Sequence, residues 1–116
     1  MEEIYNHVGK VVGWIDDDRI LDFSTNRWIG FLRRDCVYSA NGKYLGRFDG
    51  HFRTSDGSVV AFINGVQGGP LKPLQALKPL QPLKPLKPLL PLPELPHLPP
   101  IPSLNWSSLD WHSFWK

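Results

Sequence analysis

Apolar and polar positions follow two different rhythms along this chain, and the change falls at Pro70. Before it, short apolar runs alternate with polar turns. "YNHVGKVVGWI" (5–15), "FSTNRWIGFL" (23–32), "YSANGKYLGRF" (38–48) and "RTSDGSVVAFI" (53–63) share one pattern, a polar turn followed by two apolar residues, a small residue and more apolar residues. The small residues Gly13, Gly30, Gly46 and Ala61 are spaced 17, 16 and 15 apart. Self-similarity at a fixed period marks a repeat architecture, and this period holds two short strands and two turns. Asn41-Gly42, Asp49-Gly50 and Asp56-Gly57 suit two-residue hairpins, which need positive φ. The segments between are rich in Val, Ile, Trp, Phe and Tyr and lack a helical period. The prediction is an all-β unit over residues 1–68, about eight short antiparallel strands in four hairpin repeats. The chain starts half a repeat early with "EIY" (3–5) and ends the series half a repeat late with "SVVAFI" (58–63). Pairing the last strand with the first closes a four-fold ring and removes the exposed edges. Such a unit is expected to fold unaided. Glycine within each inner strand permits close backbone approach; bulges in an open sheet are the alternative explanation.

These repeats resemble the bacterial four-fold β-flower proteins, whose small domain is built from four hairpins of the "NGK" plus apolar–Gly–apolar kind. The resemblance covers residues 3–65, implies the closed ring, and brings no activity or site with it. WG-type and MORN-type repeats share some dipeptides, but their repeats are longer and more strictly patterned. The Pro/Leu-rich segment beyond lies outside the resemblance and reads as unrelated to it.

From Pro70 onward the rhythm is three. Leucine or isoleucine occupies positions 71, 74, 77, 80, 83, 86, 89, 92, 95, 98, 101 and 104 without a miss. A polyproline II helix has three residues per turn, so these side chains form one stripe. Proline fills a second column from Pro70 to Pro91, broken only at Ala76, and the third column carries Lys72, Gln75, Lys78, Gln81, Lys84 and Lys87. Residues 69–104 are therefore an amphipathic polyproline II arm. A plain spacer needs no leucine at every third place, so the stripe is expected to pack against something. As an unbroken rod the arm extends roughly 110 Å, several times the width of the head. It is not expected to lie on its own head without bending back or running past it. The leucines, Leu77, Leu80, Leu83, Leu86 and Leu89 among them, are the expected partner-binding residues, and the lysines are expected to matter little. "PLQPLK" (79–84) and "PLKPLK" (82–87) also fit the P-x-x-P-x-K form read by aromatic grooves, although that recognition does not need an unbroken leucine column.

The last segment, residues 105–116, holds Trp106, Trp111, Phe114 and Trp115, which read as anchors for a partner. A short helix capped by Asn105 or Ser107 fits its start, with Ser107 and Asp110 at capping-box spacing.

Charge and candidate chemistry change this picture little. All twelve prolines fall at or after Pro70, and the net charge of +2 is too small and too dispersed for a nucleic-acid footprint. One cysteine excludes an internal disulfide framework and fits the cytoplasm. The acidic start is no signal peptide, and no apolar run is long enough for a transmembrane helix. With Lys116 the only base near the tryptophans and Asp110 opposing it, membrane contact at the tip is expected to be weak. Asp16, Asp17 and Asp18 are adjacent, and consecutive residues point to opposite sides, so they read as a solvated turn and not as a cation site. His7 and His51 lack the neighbours of a metal or acid–base site and read as surface turn residues. Cys36 stands where the other repeats place Ile4, Leu21 and Phe52, and reads as a buried apolar residue. No nucleophile elbow, phosphate loop or metal motif occurs, so no catalytic, cofactor-binding or metal residue is assigned, and a small enzyme using Asp16–Asp18 with His7 or His51 is the last-ranked alternative. The expected function is non-catalytic: a β-repeat head that assembles with copies of itself, or tethers to another protein, through the arm and tip.

Overall fold

In the computed structural model, which describes residues 1–116, eight strands run in chain order around a closed antiparallel barrel. They are β1 (Glu2–Tyr5), β2 (Val11–Asp16), β3 (Arg19–Asp22), β4 (Trp28–Arg33), β5 (Cys36–Ser39), β6 (Tyr44–Phe48), β7 (His51–Arg53) and β8 (Val59–Ile63). Closure comes from β1, which pairs with β2 on one side and with β8 on the other through Ile4–Ile63 and Tyr5–Phe62. The half-repeats at the two ends of the series thus complete each other.

Every repeat carries the same irregularity. Ile4 faces Gly13 and Tyr5 faces Val11, which leaves Val12 as the extra residue of a bulge; Ile29, Leu45 and Val60 hold the same place in the other repeats. Closure and bulges therefore occur together. A bulge bends its strand, which suits the tight curvature of so small a barrel.

Alternation along the strands sends Ile4, Ile15, Ile20, Val37 and Phe52 into the barrel, and all are buried there. Their neighbours Tyr5, Trp14, Leu21, Phe31, Tyr38 and Phe62 take the opposite face, yet they are buried too. The barrel is apolar on both walls, and residues 70–106 cover the outer one. Leu90 packs on the Phe31–Cys36–Tyr38–Tyr44 cluster, and the Trp106 ring lies 5.9 Å from that of Phe62. The three-residue period of polyproline II geometry shows in the burial. Pro70 is buried and Pro73, Pro79, Pro82, Pro85 and Pro91 are half-buried, while the leucine beside each is exposed.

The arm bends, so it does lie on its own head. The molecule is a disc of 36 × 35 × 21 Å, and a rim about 35 Å across has a circumference of roughly 110 Å, the contour length of the arm. The arm makes one circuit as a belt. Comparing its length with the width of the head overlooks this path.

The chain then turns to the barrel's end. Helix α1 (Trp111–Phe114) is capped by Asp110, whose carboxylate accepts from Ser113 N–H at 2.7 Å; neither Asn105 nor Ser107 caps it. Trp111 and Phe114 complete the barrel's inner core together with Val12, Ile29, Leu45 and Val60. Gly30 is required here, because a Cβ would overlap the ring of Trp115.

Two of the nine buried residues of the inner core come from the tip, so a head that folds unaided is no longer expected. Large-to-small losses in a core cost about 3–5 kcal/mol for a Phe or Trp. Residues 1–68 alone should show no cooperative thermal transition and should elute as aggregate on size exclusion, whereas the full chain melts in one step. A monomeric fragment melting within a few degrees of the full chain would contradict this.

Candidate interaction surface

The belt is fastened at regular intervals. Ala76 N–H donates to Gly9 O at 2.8 Å, Glu94 N–H to Gly42 O at 2.8 Å, and Ser103 N–H to Gly57 O at 3.1 Å. Each acceptor is the turn glycine of one repeat. Each donor stands in the proline column, at a place where proline is missing, since only there does the arm have an inward N–H to give. The donors lie at 76, 94 and 103, multiples of nine residues apart, and the position omitted by that interval is Pro85. In the second repeat the bond runs the other way: Trp28 Nε1–H donates to Pro85 O at 3.0 Å. Nine residues are three polyproline turns, roughly 28 Å, about a quarter of the circuit. At Gly42, φ is +87° and a Cβ would stand 2.7 Å from Leu92 O, so the close passage of the belt also requires glycine.

Side chains add further fastenings. Tyr44 N–H donates to Glu94 Oε1 at 2.7 Å, and His97 lies over the Tyr44 ring at 4.4 Å. Arg19, Arg47 and Arg53 donate to the carbonyls of Pro88, His97 and Ser103. The lysine column is engaged as well. Lys84 Nζ and Lys87 Nζ reach the Asp16 carboxylate at 3.0 and 2.7 Å, and Lys78 Nζ lies 3.6 Å from Glu3. Hydrogen bonds from Lys87 and then Lys84 hold the Asp16 carboxyl below the usual carboxylate range. This corrects the sequence reading twice. Asp16 is buried and ion-paired, while Asp17 and Asp18 are exposed, and the lysines bind the arm to the head.

His51 is also not a surface residue. It is buried beneath Gly69, its Nδ1 lies 3.0 Å from Asp49 Oδ1, and its Nε2 has no partner. Burial pushes its pKa down, which outweighs the Asp49 contact. His7 is exposed, with its ring 6.3 Å from that of Trp106. Cys36 is buried, and burial raises its thiol pKa.

The aromatic tip was expected to seat on a partner; instead it is occupied within its own chain. Trp111 Nε1–H donates to Asp22 Oδ1 at 2.9 Å. Burial raises the Asp22 pKa, but bonds from Trp111, Thr25 and Ser24 outweigh it and hold the carboxyl low. Phe114 is buried in the core, Trp115 fills the space over Gly30, and Trp106 packs on the outer wall. Ordering rings in the chain's own core leaves them unavailable as anchors.

The leucine stripe is the surface left free. Leu77, Leu80, Leu83, Leu86 and Leu89 point away from the barrel together with the rest of the column, and the twelve positions are 74–96 % exposed. They form an apolar girdle around the whole rim. The signal for the inward side was the run of gaps in the proline column, beginning with Ala76. No helix is long and apolar enough to cross a membrane, and no group of three or more His, Cys, Asp or Glu side chains could hold a metal ion.

A closed ring of four bulged hairpins, belted on the outside and plugged at one end by its own C-terminal segment, defines a small all-β module. The chain belongs to the 4-fold beta flower protein family, whose model matches residues 2–115. That match continues beyond the repeats through the arm and tip, so the segment read as unrelated lies within the family unit. No curated protein and no solved structure matches the chain.

The fastenings make a test with an unambiguous sign. Ala76→Pro completes the proline column. In a free spacer such a change stabilises or is neutral, by about 0.4–1 kcal/mol. Here it removes the bond to Gly9, so it should destabilise the chain by about 1–3 kcal/mol, read as a lower midpoint in chemical unfolding. An unchanged or raised midpoint would contradict the belt.

Proposed function

We propose that the protein is a non-catalytic assembly module that packs against other copies of its own chain through the leucine girdle. One observation carries this: an entire column of leucines is turned to solvent while the prolines and lysines of the same arm are used on the barrel. Exposed apolar patches beyond a few hundred Å² mark interaction surfaces, and burying one leucine contributes roughly 1.5–3 kcal/mol.

Charge supports an apolar protein partner. Lys78, Lys84 and Lys87 are paired with Glu3, Asp16 and Asp17, and from Leu89 to Leu104 the arm has no lysine. The rim therefore offers little attraction to anionic lipid or nucleic acid. It is also one leucine wide, too narrow for a hydrocarbon layer of about 30 Å. Copies of the chain suit it better, because leucines about 9 Å apart can interdigitate with an identical column. Twelve leucines on one circuit are roughly 30° apart, so a single convex neighbour covers an arc of about three. Several copies around one disc are needed, which makes an assembly extending in the plane of the disc. The buried Cys36 fits action in a reducing cytoplasm. The P-x-x-P-x-K reading is disfavoured, because Pro79, Pro82 and Pro85 face the barrel and Lys84 is held by Asp16.

Light scattering on the full chain across a concentration series should give a mass that rises well above 13.2 kDa. Leu80, Leu83 and Leu86 changed together to Ser should lower that mass at every concentration and leave the melting point within a few degrees, since these side chains touch nothing in the monomer. A parent chain that stays monomeric, or a triple variant that assembles equally well, would overturn the proposal. Retention of the parent by neutral phosphatidylcholine vesicles in place of self-association would assign the girdle to lipid instead.

A further inference from the structure

We infer that the cleft between the second and third repeats, beside the tip, is a binding site for a small anion carrying a flat apolar body. The cleft has a volume of about 530 Å³ and is lined by Arg27, Trp28, Ile29, Lys43 and Trp115 among others, a size typical of small-molecule sites. A second cavity of about 220 Å³ adjoins it and shares Arg27, Ile29 and Trp115.

Two of the cations around it are not ion-paired. Of the thirteen Lys and Arg residues, Arg19, Arg47, Arg53, Lys78, Lys84 and Lys87 lie within 4.0 Å of a carboxylate. Of the seven others, Arg27 and Lys43 line this cleft, with Lys116 beside them. Arg27 and Lys43 hold equivalent places in successive repeats, each directly after the turn residue of positive φ, Asn26 and Gly42. The four-fold pattern thus brings a cation to the cleft from both sides. Asp22, in the adjoining cavity, is buried and taken by Trp111, Ser24 and Thr25, and the Asp110 carboxylate is close enough to act on Lys116, so Arg27 and Lys43 are the cations left to a ligand.

The walls supply the rest. Trp28 and Trp115 provide indole surface. Aromatic walls favour a planar apolar body, and the two cations Arg27 and Lys43 favour a carboxylate or phosphate upon it. The girdle is on the rim and the cleft beside the tip, so this site is independent of assembly.

The test uses the full chain and 2-naphthoate, followed by the indole N–H resonances, with that of Trp115 assigned by its loss in Trp115→Phe. Binding should be saturable and should shift Trp115 while leaving Trp111 in place. The neutral analogue 2-naphthalenemethanol, with the same ring and no charge, should bind about tenfold more weakly or worse, as should 2-naphthoate to Arg27→Gln/Lys43→Gln. Both substituted positions are exposed, and an unshifted Trp111 resonance confirms that the variant is folded. Equal affinity for acid and alcohol, an unaffected double variant, or no saturable shift at Trp115 would overturn the site.

Discussion

The constraint on which everything else depends is that the barrel is apolar on both walls. Trp14, Phe31, Tyr38 and Phe62 alternate along the strands with Ile15, Ile20 and Val37, and both sets are buried. An antiparallel sheet with one wet face shows clean alternation of apolar and polar residues. This one does not, and a bare barrel would expose a ring of aromatic side chains. The belt is the means by which the fold keeps that outer wall dry, and the tip does the same for the open end of the inner core.

From this follows the match between two periods. The barrel repeats every 15 to 17 residues and the arm every nine, yet both go once round the same disc. Proline stiffens the arm and removes its donors, so a belt of unbroken proline would be held by side chains alone. The gaps at 76, 94 and 103 return an inward N–H where a turn glycine presents its carbonyl. In the second repeat, where Asn26 replaces glycine and Pro85 replaces the gap, the Trp28 indole makes the connection. With two of the three columns committed to the barrel, the leucine column has no direction left but outward.

Much of the head was legible in the sequence. The period, the turn dipeptides and the paired half-repeats specified eight strands and closure, because those signals are local or follow directly from repetition; Cys36 is buried, but in the outer-wall cluster, and it is Val37 that stands where Ile4 and Phe52 do. The three-residue rhythm of the arm and its leucine face were legible for the same reason. What faced the barrel was not. Ala76 stood out as a break in a column, but its purpose depends on Gly9, which is nearby only after the arm has bent. The same holds for Asp16, paired with lysines 68 and 71 positions away, and for Trp111, whose partner Asp22 belongs to the second hairpin. His51 reads as a turn residue until the start of the arm covers it. Each of these misassignments arose from treating head and arm as separate bodies.

The belt itself is the central claim, and residue-resolved amide hydrogen exchange on the full chain tests it most directly. Protected amides should appear in an otherwise fast-exchanging arm at Ala76, Glu94 and Ser103, where an inward N–H meets a turn carbonyl, with Leu77 and Leu95 beside them exchanging freely. Protection at those three positions at the level of the barrel strands is the predicted result. Uniformly fast exchange from 71 to 103, with the strands still protected, would show an arm detached from its barrel and would contradict the account.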